Sequence, residues 1–194
     1  MEAAIRFSQN SFPNQADQLF LKVDVAGRVL QVYSSNGKSK SSLTYDLLYE
    51  SRRLQPFRAF DWHPTDASLV AIGQTSGEAN LVNLSDQEQT PLVFKVKSTR
   101  SCNAVGLNTQ HWIAIGLDKV RNDFCLNIWD VNQKSSSSGK SYGKTTDEPL
   151  HKLAGGEPIT SLRFFQNQPQ LLAAGVKGQF VRLYDLREST PSAS

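Results

Sequence analysis

The sequence is short of most residues around which catalytic, redox or membrane chemistry is built. Its 194 residues include two cysteines, three histidines and one methionine. Cys102 and Cys125 lie in strand-like segments and read as buried thiols, since a disulfide or metal framework needs more cysteines at short spacings. His63, His111 and His151 fall at strand ends in different units, with no spacing suited to a metal. No apolar run approaches the ~18 residues that span a bilayer. The start, MEAAIRFSQNSF, lacks the basic and apolar regions of a signal peptide. Asn83-Leu84-Ser85 fits the glycosylation pattern but has no secretory signal to go with it. The 21 basic and 18 acidic residues leave a net charge of +3, too small and too evenly spread to point to nucleic acid. A soluble, cytoplasmic chain with no direct membrane insertion is expected.

Helical periodicity is also scarce, while short β-type runs separated by turn residues recur throughout. Strands are predicted at Ile5 to Gln9, Gln18 to Asp24, Arg28 to Tyr33 and Ser42 to Tyr49, the last with a short helix as the alternative. A second group comprises Phe57 to Trp62, Ser68 to Gln74, Glu78 to Leu84 and Pro91 to Val96. Its first strand stops at His63-Pro64, where proline cannot continue a ladder. A third comprises Cys102 to Leu107, His111 to Leu117, Phe124 to Asp130 and, after a gap, Pro149 to Leu153. The gap, residues 132–147, is rich in Ser, Gly and Lys and reads as a disordered insertion. The last group has only three strands, Ile159 to Phe165, Gln170 to Val176 and Gln179 to Leu186, followed by a polar tail at 190–194.

Aligned on their second strands, the groups read LFLKVDVAG, LVAIGQTSG, WIAIGLDKV and LLAAGVKGQ. Gly73, Gly116 and Gly175 share a column, in which Val23 replaces glycine. The column spacings are 50, 43 and 59 residues, the last including the insertion of roughly 16. This is close to the ~40–45-residue period of a four-stranded propeller blade. The third strands close on Tyr33-Ser34, Asn83-Leu84, Trp129-Asp130 and Tyr184-Asp185. A glycine in such a strand lets neighbouring backbones approach, as radial packing requires. Trp129 and Tyr184 are expected to pack rather than to bind. The fold class is therefore all-β, a WD-repeat β-propeller of about four blades, at 1–52, 53–98, 99–155 and 156–189. A β-sandwich would explain the alternation but not the repeat. Rings of this kind need roughly 4–8 complete blades. The chain is thus expected to be part of a larger propeller, or to be completed by a partner.

Chemistry-bearing motifs are few. Gly139-Lys140-Ser141 ends like a phosphate-binding loop, but Lys134 stands where that loop needs glycine. Nothing supplies a base beside either cysteine. Asp118 and Asp123, flanking Lys119 and Arg121 in a turn, are expected to bond the local backbone. Lys95, Lys97 and Arg100 form a basic edge that is either simply solvated or faces an acidic partner. Ser135 to Ser138 could accept phosphate. No catalytic residue, metal, cofactor or small-molecule substrate is expected.

One phrase is more specific. Arg100-Ser101-Cys102-Asn103, Trp112 to Lys119 (with Asp118), Arg121, Asp123-Phe124 and Ile128-Trp129-Asp130 together resemble the Mio (missing oocyte) family. Ala71 to Gln74 with Gly77, Leu171 to Gly175 and Tyr184 to Arg187 agree with it, so residues 57 to 187 carry the resemblance. It implies a subunit of the fungal SEA complex, called GATOR in animals, which sits on the vacuolar or lysosomal surface and relays amino-acid sufficiency to the TOR kinase. It also implies a non-catalytic scaffold whose partners are other propeller and solenoid subunits, held at the membrane only through them. The alternative is a WD adaptor in vesicle trafficking or ubiquitin ligation. The best-formed WD repeats hold the third-strand Trp through a Gly-His pair, for which this chain has Arg100-Ser101 and Gly156-Glu157. This departure leaves the polar network weak, so the blades are expected to be held mainly by apolar packing.

Overall fold

The computed structural model describes residues 3–7, 17–24, 28–36, 44–51, 54–86, 90–132, 145–146, 148–178 and 180–187. Its elements are all strands, arranged in four sheets. The first sheet is a meander of β1 (Ala3–Phe7), β2 (Asp17–Asp24), β3 (Val29–Asn36) and β4 (Thr44–Ser51). The second comprises β5 (Phe57–Trp62), β6 (Leu69–Gln74), β7 (Ala79–Asn83) and β8 (Leu92–Phe94). The third comprises β9 (Cys102–Leu107), β10 (Trp112–Leu117), β11 (Phe124–Asp130) and, beyond the short β12 (Thr145–Thr146), β13 (His151–Gly155). The fourth has β14 (Ile159–Phe164), β15 (Leu171–Val176) and β16 (Phe180–Asp185). The fold is an all-β propeller with partial blades.

The sheets repeat down to individual hydrogen bonds. The residue after each second strand, Thr75, Asp118 or Lys177, donates its N–H to a carbonyl just before the first strand, that of Pro56, Ser101 or Pro158. At the opposite end Leu84, Val131 and Leu186 donate to Ser68, His111 and Gln170. Such pairing leaves few strand-end groups without partners, which matters because a buried unpaired backbone group costs about 1–3 kcal/mol.

Two apolar clusters hold the sheets together. One lies between the first and second sheets and contains Leu21, Val23, Leu30, Val32, Phe57, Phe60, Trp62, Val70 and Ile72. The other runs from the second sheet to the fourth, with Trp129, Ile113, Ile115, Ile128, Ile159 and Leu172 at its heart. Trp129 is buried and meets the Phe94 ring edge-on at 5.9 Å, so the third strand of one sheet is keyed to the outer strand of its neighbour. Its indole Nε1 finds no acceptor among the described residues, leaving apolar contact as what holds the ring.

Three details differ from the expectations. Residues 44–51 are a strand and not a helix, pairing with β3 around an irregularity between Val32 and Tyr33. Thr145 and Thr146, inside the span expected to be disordered, pair in parallel with Val93 and Phe94 and add a fifth strand to the second sheet. The remainder of that span beyond Asn132 lies outside the described residues, as do Ser135 to Ser138, Gly139-Lys140-Ser141 and the tail. Finally, the third-strand alignment is off by one in the second sheet. Leu69, Trp112 and Leu171 pair with Asn83, Asp130 and Asp185, so Asn83 and not Leu84 corresponds to the aspartates. Those residues also share a role, each accepting the N–H two residues on, from Ser85, Asn132 or Arg187.

Candidate functional site

The strand ends and the uncovered sheet faces are where this fold can meet other molecules. The phrase from Arg100 to Asp130 builds one set of strand ends. Gly77 turns with φ +92°, and a side chain there would collide with the Arg100 carbonyl oxygen, so the entry to the third sheet lies against the β6–β7 turn. Ser101 Oγ donates to the Thr75 carbonyl at 3.2 Å, tying the same two sheets. Cys102 begins β9 fully buried, its thiol pushed up to about 12 by burial, which makes it a packing residue and a poor nucleophile. Asn103 follows it on β9, half-buried. Asp118 Oδ1 accepts the Lys119 N–H and Asp123 Oδ1 accepts the Phe124 N–H, both at 2.8 Å. The Asp123 carbonyl accepts the Gly156 N–H at 3.0 Å, which joins the turn to the segment entering the fourth sheet. Arg121 is exposed at the tip of this turn. At the end of the fourth sheet Tyr184 is half-buried, and Arg187 forks onto the Asp185 carboxylate, holding it down at about 2. Of the basic edge, Lys95 pairs with Glu78 at 3.0 Å.

At the other strand ends the structure brings together residues that the sequence keeps apart. Asp61 on β5 is buried, and its Oδ2 accepts the Leu107 N–H of β9 at 3.0 Å. Its Oδ1 faces Arg163 Nη1 of β14 at 3.8 Å, so one carboxylate links the first strands of three sheets. The only hint of this in the sequence is an acidic residue inside the apolar run FRAFDW. His63 and His111, expected in separate units, stack with ring centroids 5.0 Å apart. His63 Nδ1 accepts N–H groups from Asp66 at 3.0 Å and Thr65 at 3.3 Å. Burial and then the His111 ring hold its imidazole below the ordinary value, with Asp66 acting the other way. Among the described residues no three His, Cys, Asp or Glu side chains converge as a metal site.

Among the described residues, two sheet faces carry exposed apolar side chains. On the first sheet Phe7, Phe20, Tyr33 and Leu47 form one cross-strand row. Phe20 stacks on Tyr33 at 5.1 Å and meets Tyr45 edge-on at 5.4 Å. Phe7 and Tyr45 remain 60% and 54% exposed, although their sheet's other face is core. On the fourth sheet, β16 exposes Val181 and Leu183. Contiguous exposed apolar surface of this kind marks interaction sites.

Residues 44–194 match the family model described as Nucleolar protein 10-like, N-terminal domain, a β-propeller. The chain belongs to this propeller family. The resemblance to the Mio family is also borne out among curated relatives. One is the GATOR2 complex protein MIOS of Dictyostelium discoideum, 27% identical over 194 aligned residues, covering 78% of this chain and 17% of the relative. Another is the SEH-associated protein 4 of Saccharomyces cerevisiae, 32% identical over 138 residues, covering 66% and 12%. A third is the GATOR2 complex protein Mio of Drosophila melanogaster, 26% identical over 174 residues, covering 84% and 19%. The chain thus spans less than a fifth of the length of these relatives. Among solved structures, Raptor of Chaetomium thermophilum superposes with a TM-score of 0.69 at 13% identity, over 97% of this chain and 16% of that one. Saccharomyces cerevisiae Sqt1 superposes with a TM-score of 0.60 at 14% identity, over 96% and 47%. Both show the propeller fold. No helix among the described residues is long and apolar enough to cross a membrane.

Proposed function

We propose that this propeller is a non-catalytic scaffold within a subunit of a vacuole- or lysosome-associated complex of the SEA/GATOR kind, which regulates TOR kinase signalling in response to amino acids. The observation that carries the reading is the set of relatives named as GATOR2 complex proteins and SEH-associated protein 4, at 26–32% identity. Supporting it, the described strand ends form turns and inter-sheet ties, and the exposed apolar faces suit protein partners, other propeller and solenoid subunits. On this reading the partners hold the protein at the membrane surface.

The test is physiological. Deleting the gene, or replacing Phe7, Tyr45 and Leu47 together by polar residues, should uncouple phosphorylation of TOR substrates from amino-acid withdrawal and resupply. A normal response in the deletion strain would refute the role. The printed name of the family model favours a second reading, a scaffold in a nucleolar assembly. A tagged protein concentrated in nucleoli rather than on vacuoles or lysosomes would select it.

A further inference from the structure

One set of strand ends draws cations together from three separate segments. The Thr75 N–H donates to the Pro56 carbonyl at 2.8 Å, Ser101 Oγ to the Thr75 carbonyl at 3.2 Å, and the Asp118 N–H to the Ser101 carbonyl at 2.9 Å. These three bonds bring the backbone at Arg58, Arg100 and Lys119, each within two residues of them, to one end of the second and third sheets. Lys97 leads into this surface, and Arg121 stands at the tip of the adjoining turn. All five are exposed, and none has an ion-pair partner among the described residues.

A repeated irregularity adds to it. Gln74 pairs with Phe57 and Gly73 with Ala59, so Arg58 is an extra residue in β5. Asn103 in β9 and Thr160 in β14 are extra in the same way. Such bulges re-aim a side chain. The acidic residues at this end are already engaged: Glu78 pairs with Lys95, Glu157 with Arg182, and Asp118 and Asp123 accept backbone N–H groups. The opposite ends of the same sheets carry the reverse balance, where Asp61, Asp66, Asp86, Asp130 and Asp185 outnumber Lys152, Arg163 and Arg187. The small net charge of +3 thus hides two surfaces of opposite sign.

We propose that the surface around Arg58, Arg100 and Lys119 binds an acidic, extended segment of a partner protein. Charge complementarity names the occupant. An arginine meets a carboxylate through two parallel N–H bonds, and the Asn103 amide offers a donor and an acceptor to a peptide backbone. The carboxylates of Asp118 and Asp123, fixed among the cations, oppose a continuous polyanion such as a phosphate backbone or an anionic bilayer. Discrete acidic side chains can reach the cations between them. The proposal goes beyond the SEA/GATOR reading and does not depend on it.

The test is zero-length cross-linking. The assembly purified from source cells through a tag on this chain is treated with a water-soluble carbodiimide, which joins a lysine amine to a carboxylate in contact with it. Peptide mass spectrometry maps the products. Lys97 and Lys119 should couple to aspartate or glutamate of another polypeptide at least about fivefold more often than Lys152, at the opposite end. Arg58→Gln, Arg100→Gln and Lys119→Gln combined should cut coupling through Lys97 by a similar factor and lower the salt concentration that releases the partner about twofold. Lys152→Gln should change neither. The three replaced side chains are exposed, so the thermal melt of the purified protein should not move, which separates lost docking from lost folding. No coupling to another polypeptide from Lys97 or Lys119, or coupling no greater than that of Lys152, overturns the proposal. So does release of the bound partner by ribonuclease, which assigns the surface to RNA. Binding to phosphatidylserine vesicles that the triple variant loses, without such coupling, assigns it to anionic lipid and also overturns the proposal.

Discussion

Replacing Gly116 by alanine tests whether the sheets are held by socket packing. The added Cβ would overlap Ile159 Cγ2 and lie 2.8 Å from Ile159 Cβ, and Ile159 is fully buried, so β14 must move by several tenths of an ångström. Overpacking a filled core costs about 1–3 kcal/mol. The smaller conformational freedom of alanine in the unfolded chain returns about 0.5–1 kcal/mol. A net loss of about 1–2 kcal/mol is expected. With a urea slope of about 2 kcal/mol/M, the unfolding midpoint should fall by about 0.5–1 M. Gly106→Ala is the control, because its Cβ would meet Phe164 at an ordinary 3.5 Å, and its midpoint should barely change. Ile159→Ala alone should cost about 2–5 kcal/mol. The double variant should then be less damaged than the sum by about 0.5–3 kcal/mol, because the smaller knob makes room for the new methyl. Equal effects of Gly116→Ala and Gly106→Ala, or strict additivity with Ile159→Ala, would refute the socket.

Other expectations follow from the same contacts. Asp61→Leu leaves the buried Leu107 N–H without its acceptor and should destabilise by about 1–3 kcal/mol with faster Leu107 amide exchange, while Asp61→Asn keeps an acceptor and should cost less. Because folding lowers the His63 pKa, the unfolded chain takes up the proton more readily. Stability should therefore be full above about pH 6.5 and decline on acidification below it, and His63→Phe should flatten that slope in urea titrations at pH 7.5 and 5. Trp129→Phe should cost only its lost packing, about 1–3 kcal/mol by thermal melt, because the indole N–H has no acceptor among the described residues to lose. Native protein should show no titratable thiol with an aromatic disulfide reagent at pH 8, since burial raises both Cys102 and Cys125, and both should react once unfolded.

The strands were legible as short apolar runs bounded by turn residues: LVAIGQ, WIAIGL and LLAAGV share one glycine column, and the first two, buried on both faces, are continuous apolar runs and not alternations. The glycine column was legible as a spacing. Which residue fills each socket was not, since Cys102 and Ile159 reach Gly73 and Gly116 only through the stacking of sheets. The same limit hid the Asp61 link to Leu107 and Arg163, and the stacking of His63 on His111, both of which join separate repeats. Thr145–Thr146 escaped because a two-residue parallel strand pairs by backbone alone and leaves almost no pattern in a Ser/Lys-rich stretch. Asn83 was misregistered by one because asparagine serves the same capping role as aspartate, while Leu84 follows it outside the strand.

The central claim, a propeller scaffold in a SEA/GATOR-type subunit, is tested most directly by tagging the protein at its natural locus and quantifying what co-purifies with it from source cells at native levels. The account predicts roughly stoichiometric recovery of other propeller and solenoid proteins. Recovery of the tagged protein alone, or with a nucleolar set in place of those subunits, would contradict it.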